Sequence, residues 1–481
     1  MNSSNNKLNE IFGSMIIDKK RLPSSGLVQM GIPSYVGEWV IQKLVPGEGM
    51  LNSDEFQKIN KFVKKAFPRK DDKEIIKNDL IVNKMPVSLL VKINAYVDIS
   101  KEVNLARIKA AGLDKCYIIS ELVDRNPDLL RHGLWGKVKL IPAEHLEFKD
   151  VPVEIVEFEP MQTSTVNLDL FISKRKEFTF EEWRQLMVNS AGYNPSSYNF
   201  DQQTWLLARL IPIVEKNYHI FELAPKGTGK SYIYENISPR IQFVSGGKVS
   251  PAVLFMNNRS GEVGIIGKYD VVVLDEVQSL TFDNPDEIIG VLKGYLANNR
   301  YNRGGKTDIS SDCSLVMLAN IELNELMKPK NDFLIADLPE FLHETAFLDR
   351  IAGIIPGWEI PKFELTMAAN DLGFKADFFG EILTSFRYDS RFWDFVSRKI
   401  SFKDSGVTIR DRNNILKSAS GFLKLLFPDL IVSDDEFYHY CVKPALTLRQ
   451  NIRDQLWFKD DEFRNLPKDL KVTINSQNIS V

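Results

Sequence analysis

Ala224-Pro225-Lys226-Gly227-Thr228-Gly229-Lys230-Ser231 follows the apolar run from His219 and opens a stretch of helical spacing. A glycine-containing loop between a strand and a helix is the context that a phosphate-binding loop requires. Gly227 and Gly229 let backbone N–H groups turn inward around an anion, and the following helix adds the partial positive charge of its N-terminus. Pro225, Lys226 and Thr228 complete the wall of the loop. Lys230 has the length and charge to reach the β- and γ-phosphates of ATP, and the Ser231 hydroxyl is a ligand for Mg²⁺. Ala224 stands where the pattern usually has its first glycine, a change that a small residue at a strand end tolerates.

Working outward, Val271-Val272-Val273-Leu274-Asp275-Glu276 is an apolar strand that delivers two carboxylates at its C-terminal end, where ligands of open α/β sheets bind. Asp275 can hold Mg²⁺, and Glu276 is placed to polarise an attacking water. A third strand, Leu315 to Ala319, ends in Asn320, which either bonds the attacking water or γ-phosphate or caps a helix starting at Ile321. Phe347-Leu348-Asp349-Arg350 then presents an arginine able to stabilise phosphoryl-transfer charge. Continuous apolar strands separated by helices belong to a parallel sheet covered on both faces, so the fold class is α/β.

The flanking regions have other textures. Residues 1–25 are Asn/Ser/Lys-rich and read as a flexible arm, with docking of Ile11 to Ile17 as the alternative. Residues 26–84 read as helical, from the spacing of Val36, Trp39, Val40 and Leu44 and of Phe56, Ile59, Phe62, Val63 and Phe67. Residues 85–172 show short alternating runs, as in a small β-rich domain or an oligonucleotide-binding (OB-like) barrel. Thr179 with Glu182 caps a helix over Phe178 to Met187. The α/β core is expected over 173–358, an all-α lid over 359–460 with helices at Arg410 to Phe427 and Asp435 to Trp457, and a tail over 461–481.

At 481 residues, with 44% hydrophobic and 26% charged residues, the chain is an ordinary globular protein with room for about three domains. No run of about 18 apolar residues suggests a membrane span, and a polar N-terminus lacks the pattern of a secretion signal. Three separated cysteines indicate neither disulfides nor zinc, so a cytoplasmic protein is expected. The net charge of −3 means that any DNA contact must come from local patches.

In their order and spacing, APKGTGKS, VVVLDE, LVMLAN and FLDR resemble the core of AAA+ ATPases. That resemblance implies rings in which ATP lies between subunits and Arg350 acts in trans. Thr408-Ile409-Arg410 is similar to the sensor-two arginine segment of the MCM-like branch, which adds Arg410 to the catalytic set. The stretches SELVDRNPDLL, EFTFEEWRQLMVNSAGYNP, FVSGGKV, KYDVVVLDEV, FLDRIAGIIPGWEIPK and TIRDRNNILKSASGFLKLLFPD resemble the BrxL family of Lon-like AAA+ proteins from BREX phage-defence systems. The resemblance implies an N-terminal DNA-associated region, a homo-oligomer (a hexamer, or two stacked as a dodecamer) and other BREX components as partners. Longer members carry a Lon-protease-like domain after the lid. With only Lys459 to Val481 beyond the last helix, no protease activity is expected.

Asn298 to Lys306 lies where MCM-like rings carry a hairpin projecting into the channel. Arg300, Arg303 and Lys306 would meet DNA phosphates there, with Tyr301 adding a sugar or base contact. Lys248, beside Gly246 and Gly247, and the turn Asn257 to Gly261 form a second such candidate. The run Lys61, Lys64, Lys65, Arg69, Lys70 and Lys73 is a third, although basic runs are usually solvated helix faces. The expected function is ATP-driven translocation or remodelling of double-stranded DNA. The alternatives are a protein unfoldase and an ATP-assembled DNA-clamping scaffold.

Overall fold

The computed structural model describes residues 2–145, 148–161, 166–259, 261–303, 305, 308–402 and 406–475. Helix α1 (Asn2–Phe12) and strand β1 (Ile16–Asp18) occupy the segment expected as a flexible arm. That expectation is corrected. Leu8, Phe12 and Ile16 are buried, and the Phe12 ring stacks on Phe178 at 5.8 Å and meets Phe374 edge-on at 4.8 Å. The segment is polar locally, but its few apolar side chains find aromatic partners far along the chain.

Helices α2 (Ser34–Leu44) and α3 (Ser53–Ala66) follow, the latter begun by an Asn52–Glu55 capping box. They share a buried cluster with Leu90 of the next unit. That unit is a barrel of β2 (Val87–Asp98), β3 (Val103–Ile108), β4 (Leu113–Ile118), β5 (Leu134–Pro142) and β6 (Val153–Pro160), with α4 (Ser120–Arg125) and α5 (Asp128–Arg131) between β4 and β5. It closes in the order β2-β3-β4-β6-β5, leaving no free sheet edge. Alternate residues of β2, namely Leu89, Val91, Ile93 and Ala95, fill its interior.

Helix α6 (Phe180–Ser190) starts at the Thr179–Glu182 capping box read from the sequence, and α7 (Phe200–Ala208) leads to the central sheet. This comprises β7 (Ile220–Ala224), followed by α8 (Lys230–Asn236); β8 (Ile241–Ser245); β9 (Val271–Asp275), followed by α9 (Pro285–Asn298) and the hairpin β10 (Arg300–Tyr301) and β11 (Ile309–Ser310); β12 (Ser314–Asn320); and β13 (Gly353–Pro356). The sheet order is β13-β7-β12-β9-β8, every pairing parallel. All residues of β7, β9 and β13 are buried, as a sheet covered on both faces demands.

Strand β14 (Leu372–Phe374) pairs antiparallel with β1. Helices α10 (Ala376–Ser385), α11 (Ile409–Leu426) and α12 (Lys443–Lys459) follow, but the region expected as an all-α lid also holds β14 and the strand Ile400–Ser401, which pairs with Thr473–Ile474 of the expected tail, so that expectation is corrected. Ile415, Ala419 and Phe422 of α11 lie in the same buried cluster as Ile220, Val273 and Val316, so this helix closes one face of the sheet. Among the described residues, no helix is long and apolar enough to cross a membrane.

Candidate active site

Parallel pairing brings the C-terminal ends of β7, β9 and β12 to one rim, with Asn320 in register with Ala224. Lys230 Nζ donates to Asn320 Oδ1 at 2.7 Å, and Ser231 Oγ donates to Asp275 Oδ2 at 2.9 Å. Four residues chosen from three separate motifs therefore meet at one place. Asn320 caps no helix. Asp275 is 8% exposed and also accepts from the backbone N–H of Glu276 at 2.8 Å. Glu276 itself is exposed, with φ at +49°, a left-handed conformation rarely adopted by a residue with a side chain. Burial lowers the pKa of Lys230, and the carboxylates of Glu222 and Asp275 oppose that shift.

The loop between β7 and α8 has Gly227 at φ +86° and Gly229 at φ +70°, and nothing lies within 4 Å of a Cβ placed on Gly227. Pro225 is half-buried and Lys226 exposed, whereas the Thr228 side chain is buried inward. Ala224 fits because its neighbour across the strand end is Gly357, where a Cβ would come within 2.5 Å of the Ala224 methyl. The loop carbonyls are held from behind. Phe363 N–H donates to Gly227 O at 2.7 Å, Arg209 Nη2 to Thr228 O at 3.4 Å, and the Tyr193 hydroxyl to Gly229 O at 3.2 Å. Arg209 is fully buried against Glu222, also fully buried, at 2.5 Å. The motif reading missed these residues. The one sequence signal for them was Glu222, a carboxylate inside an otherwise apolar strand.

Arg350 and Arg410 lie at the other rim. Ala352 N–H bonds His219 O, and Gly353 pairs with Ile220, so Arg350 precedes the N-terminal end of β13. The five residues of β7 put about 16 Å between the two rims. Arg410 forms an ion pair with Asp349, whose other oxygen holds Arg449 at 2.7 Å. Arg449 and Arg453 share Asp411, at 2.7 and 2.9 Å. Burial, and then the nearby Arg410 charge, lower the pKa of Arg350, as expected for cations crowded together. The structure thus brings Arg350 and Arg410 to each other and not to the loop of their own chain.

The hairpin expected to grip DNA is largely committed elsewhere. Tyr301 is 3% exposed, its hydroxyl bonded to Phe255 O at 3.2 Å and its ring edge-on to Tyr295. Arg303 pairs with Glu287 at 2.6 Å and bonds Met256 O at 2.5 Å. Both expectations are corrected, because packing against α9 and residues 255–256 takes up these side chains. Arg300 is exposed, as is Lys248, which pairs with Asp283 at 2.5 Å; Lys306 lies outside the described residues. Arg259 and the run Lys61, Lys64, Lys65, Arg69 and Lys73 are also exposed.

A family model described as the ATPase domain of Lon-like protease BrxL-like proteins matches residues 153–469, and one for the BrxL N-terminal region of the BREX system matches residues 10–141. The chain belongs to the BrxL family. It therefore carries that family's ATPase domain, and the family is that of BREX defence. The Lon-like protease BrxL of Bacillus cereus (strain H3081.97) is 31% identical over 463 residues, 95% of this chain and 67% of the relative. The protein of the same name from Escherichia coli O9:H4 (strain HS) is 29% identical, over 93% of this chain and 64% of the relative. The chain thus spans about two thirds of their length. An uncharacterised protein, ORF426, of Acidianus filamentous virus 1 is 24% identical over 53% of this chain.

Proposed function

We propose that this BrxL family chain is an AAA+ subunit that hydrolyses ATP between neighbouring copies in a ring and uses the cycle to translocate or remodel double-stranded DNA in BREX defence. The observation that carries the reading is the separation of the two halves of the site, with the Lys230–Asn320 and Ser231–Asp275 contacts at one rim and Arg350 with Arg410 at the other.

Lys230 would exchange its contact with Asn320 for the terminal phosphates of ATP, releasing Asn320 to orient water. Glu276, held outward by its left-handed backbone, accepts a proton from that water. Ser231 Oγ and Asp275 Oδ2, two hard oxygen donors 2.9 Å apart, suit Mg²⁺, which when bound neutralises phosphate charge. Arg350 and Arg410 have no reach to this centre within their own chain, so they would serve that of the adjacent copy. A closed ring of such head-to-tail contacts, as a hexamer, uses every site.

The barrel resembles an oligonucleotide-binding fold in its five strands and order, and Arg107 stacked over Tyr96 at 4.4 Å offers a cation and a ring to nucleic acid. Among the described hairpin residues, Arg300 is an exposed cation that would face the bore. The test is ATP turnover with and without duplex DNA, together with DNA affinity across a salt series. DNA-stimulated turnover and a steep negative salt slope are expected. Turnover indifferent to DNA, or a flat slope, would reject the motor reading.

A further inference from the structure

We infer that Tyr193, Arg209 and Glu222 are positioning residues that preset the phosphate-binding loop for its anion. The inference rests on the nucleotide-binding reading of that loop. A trans peptide points its C=O and the next residue's N–H in opposite directions, and the described chain contains no cis peptide. Fixing three consecutive carbonyls therefore fixes three N–H groups. The carbonyls of Gly227, Thr228 and Gly229 are taken by Phe363 N–H, Arg209 Nη2 and the Tyr193 hydroxyl. The N–H groups of Thr228, Gly229 and Lys230 then face the other way, toward the side on which Lys230 Nζ and Ser231 Oγ meet Asn320 and Asp275.

The three contacts form one connected unit. Arg209 uses Nε, at 3.0 Å, and Nη2, at 2.5 Å, on the Glu222 carboxylate, while its Nη1 donates to the Tyr193 hydroxyl at 2.9 Å. That hydroxyl donates its own hydrogen bond to Gly229 O. Glu222 holds Arg209 charged despite full burial, raising its pKa against desolvation. The Tyr193 ring is fixed edge-on against Tyr198 and Phe363, and Phe363 supplies the third contact. Left alone, a loop with two left-handed glycines samples many conformations, and ordering it would reduce phosphate affinity. A buried charged pair is a rigid support because neither partner can leave the other.

The test uses the full chain, with 2′/3′-N-methylanthraniloyl-ADP as the fluorescent probe and inorganic pyrophosphate as the competitor that touches only the loop. Tyr193→Phe keeps the packed ring and removes one hydroxyl. It should weaken both ligands by about tenfold, the worth of one to two hydrogen bonds. A paired Arg209→Met, Glu222→Met change removes the support without stranding a charge and should weaken both ligands further. Thermal melts monitored by circular dichroism confirm that each variant is folded at the assay temperature. Folded variants that bind both ligands as tightly as wild type would overturn the inference. A wild-type chain that binds neither ligand would instead overturn the nucleotide-binding reading beneath it.

Discussion

The two rims of the central sheet are built from the same strands yet solve different problems. The C-terminal rim is complete within one chain, where Lys230, Ser231, Asp275 and Asn320 are already in mutual contact. The N-terminal rim concentrates cations a strand's length away from those residues. Among the described residues, Arg410, Arg449 and Arg453 pair with Asp349 and Asp411, with Arg350 beside them. Arg449 and Arg453 are fully buried and paired, so the positive charge that reaches solvent here is that of Arg350 and Arg410. A parallel sheet teaches this by construction, because all its strands point one way and its two rims are chemically unequal.

The sharpest attack on the comparison is Arg350→Ala. It should lower ATP turnover by about a thousandfold, the scale of an arginine acting on phosphoryl transfer, with nucleotide affinity unchanged by fluorescence titration. Mixing it with Lys230→Ala chains should restore part of the activity, because mixed contacts pair an intact loop with an intact arginine. A loss of nucleotide affinity in Arg350→Ala would mean that the rims are not separate. Lys230→Ala tests the other rim. Affinity for ADP should fall by about a hundredfold, the value of a lost charge-assisted contact, while the melting temperature stays near wild type.

Acid should act in part through the N-terminal rim. His219 is buried there, accepts from Leu315 N–H on Nδ1 at 3.2 Å, and has its pKa pushed down to about 3 by burial. The unfolded chain binds a proton on this residue below about pH 6.5 and the folded chain does not, so stability rises with pH between these values. Going from pH 7 to pH 5 should therefore cost about 2 kcal/mol through His219, and His219→Gln should remove that share in denaturant titrations, leaving the share of the buried His132, whose pKa is lowered to about 4. The smallest effect concerns neither rim. Arg300→Ser should weaken DNA binding by only about threefold and reduce the salt slope by about 0.9 per lost phosphate contact, with turnover in the absence of DNA unchanged.

That the glycine-containing loop, the carboxylates after β9 and Asn320 share one rim was legible because each stands at the end of an apolar strand. The capping box at Thr179 was legible for the same reason. Tyr301 and Arg303 were misread since their burial depends on α9 and on residues 255–256, which no local pattern announces. The N-terminal arm failed in the same way. Leu8 and Phe12 look sparse in sequence, and only the aromatic cluster around Phe374 gives them a place.

By itself the sequence determined an α/β sheet with its candidate site residues at one end, because strand length, apolar runs and terminal polar residues are short-range properties. The tertiary structure decided which cations remain exposed, which carbonyls of the loop are held, and that Arg350 stands a strand's length from its own loop. Those outcomes depend on parallel pairing and on burial between distant segments, which bring together side chains such as Arg209 and Thr228, or Asp349 and Arg410.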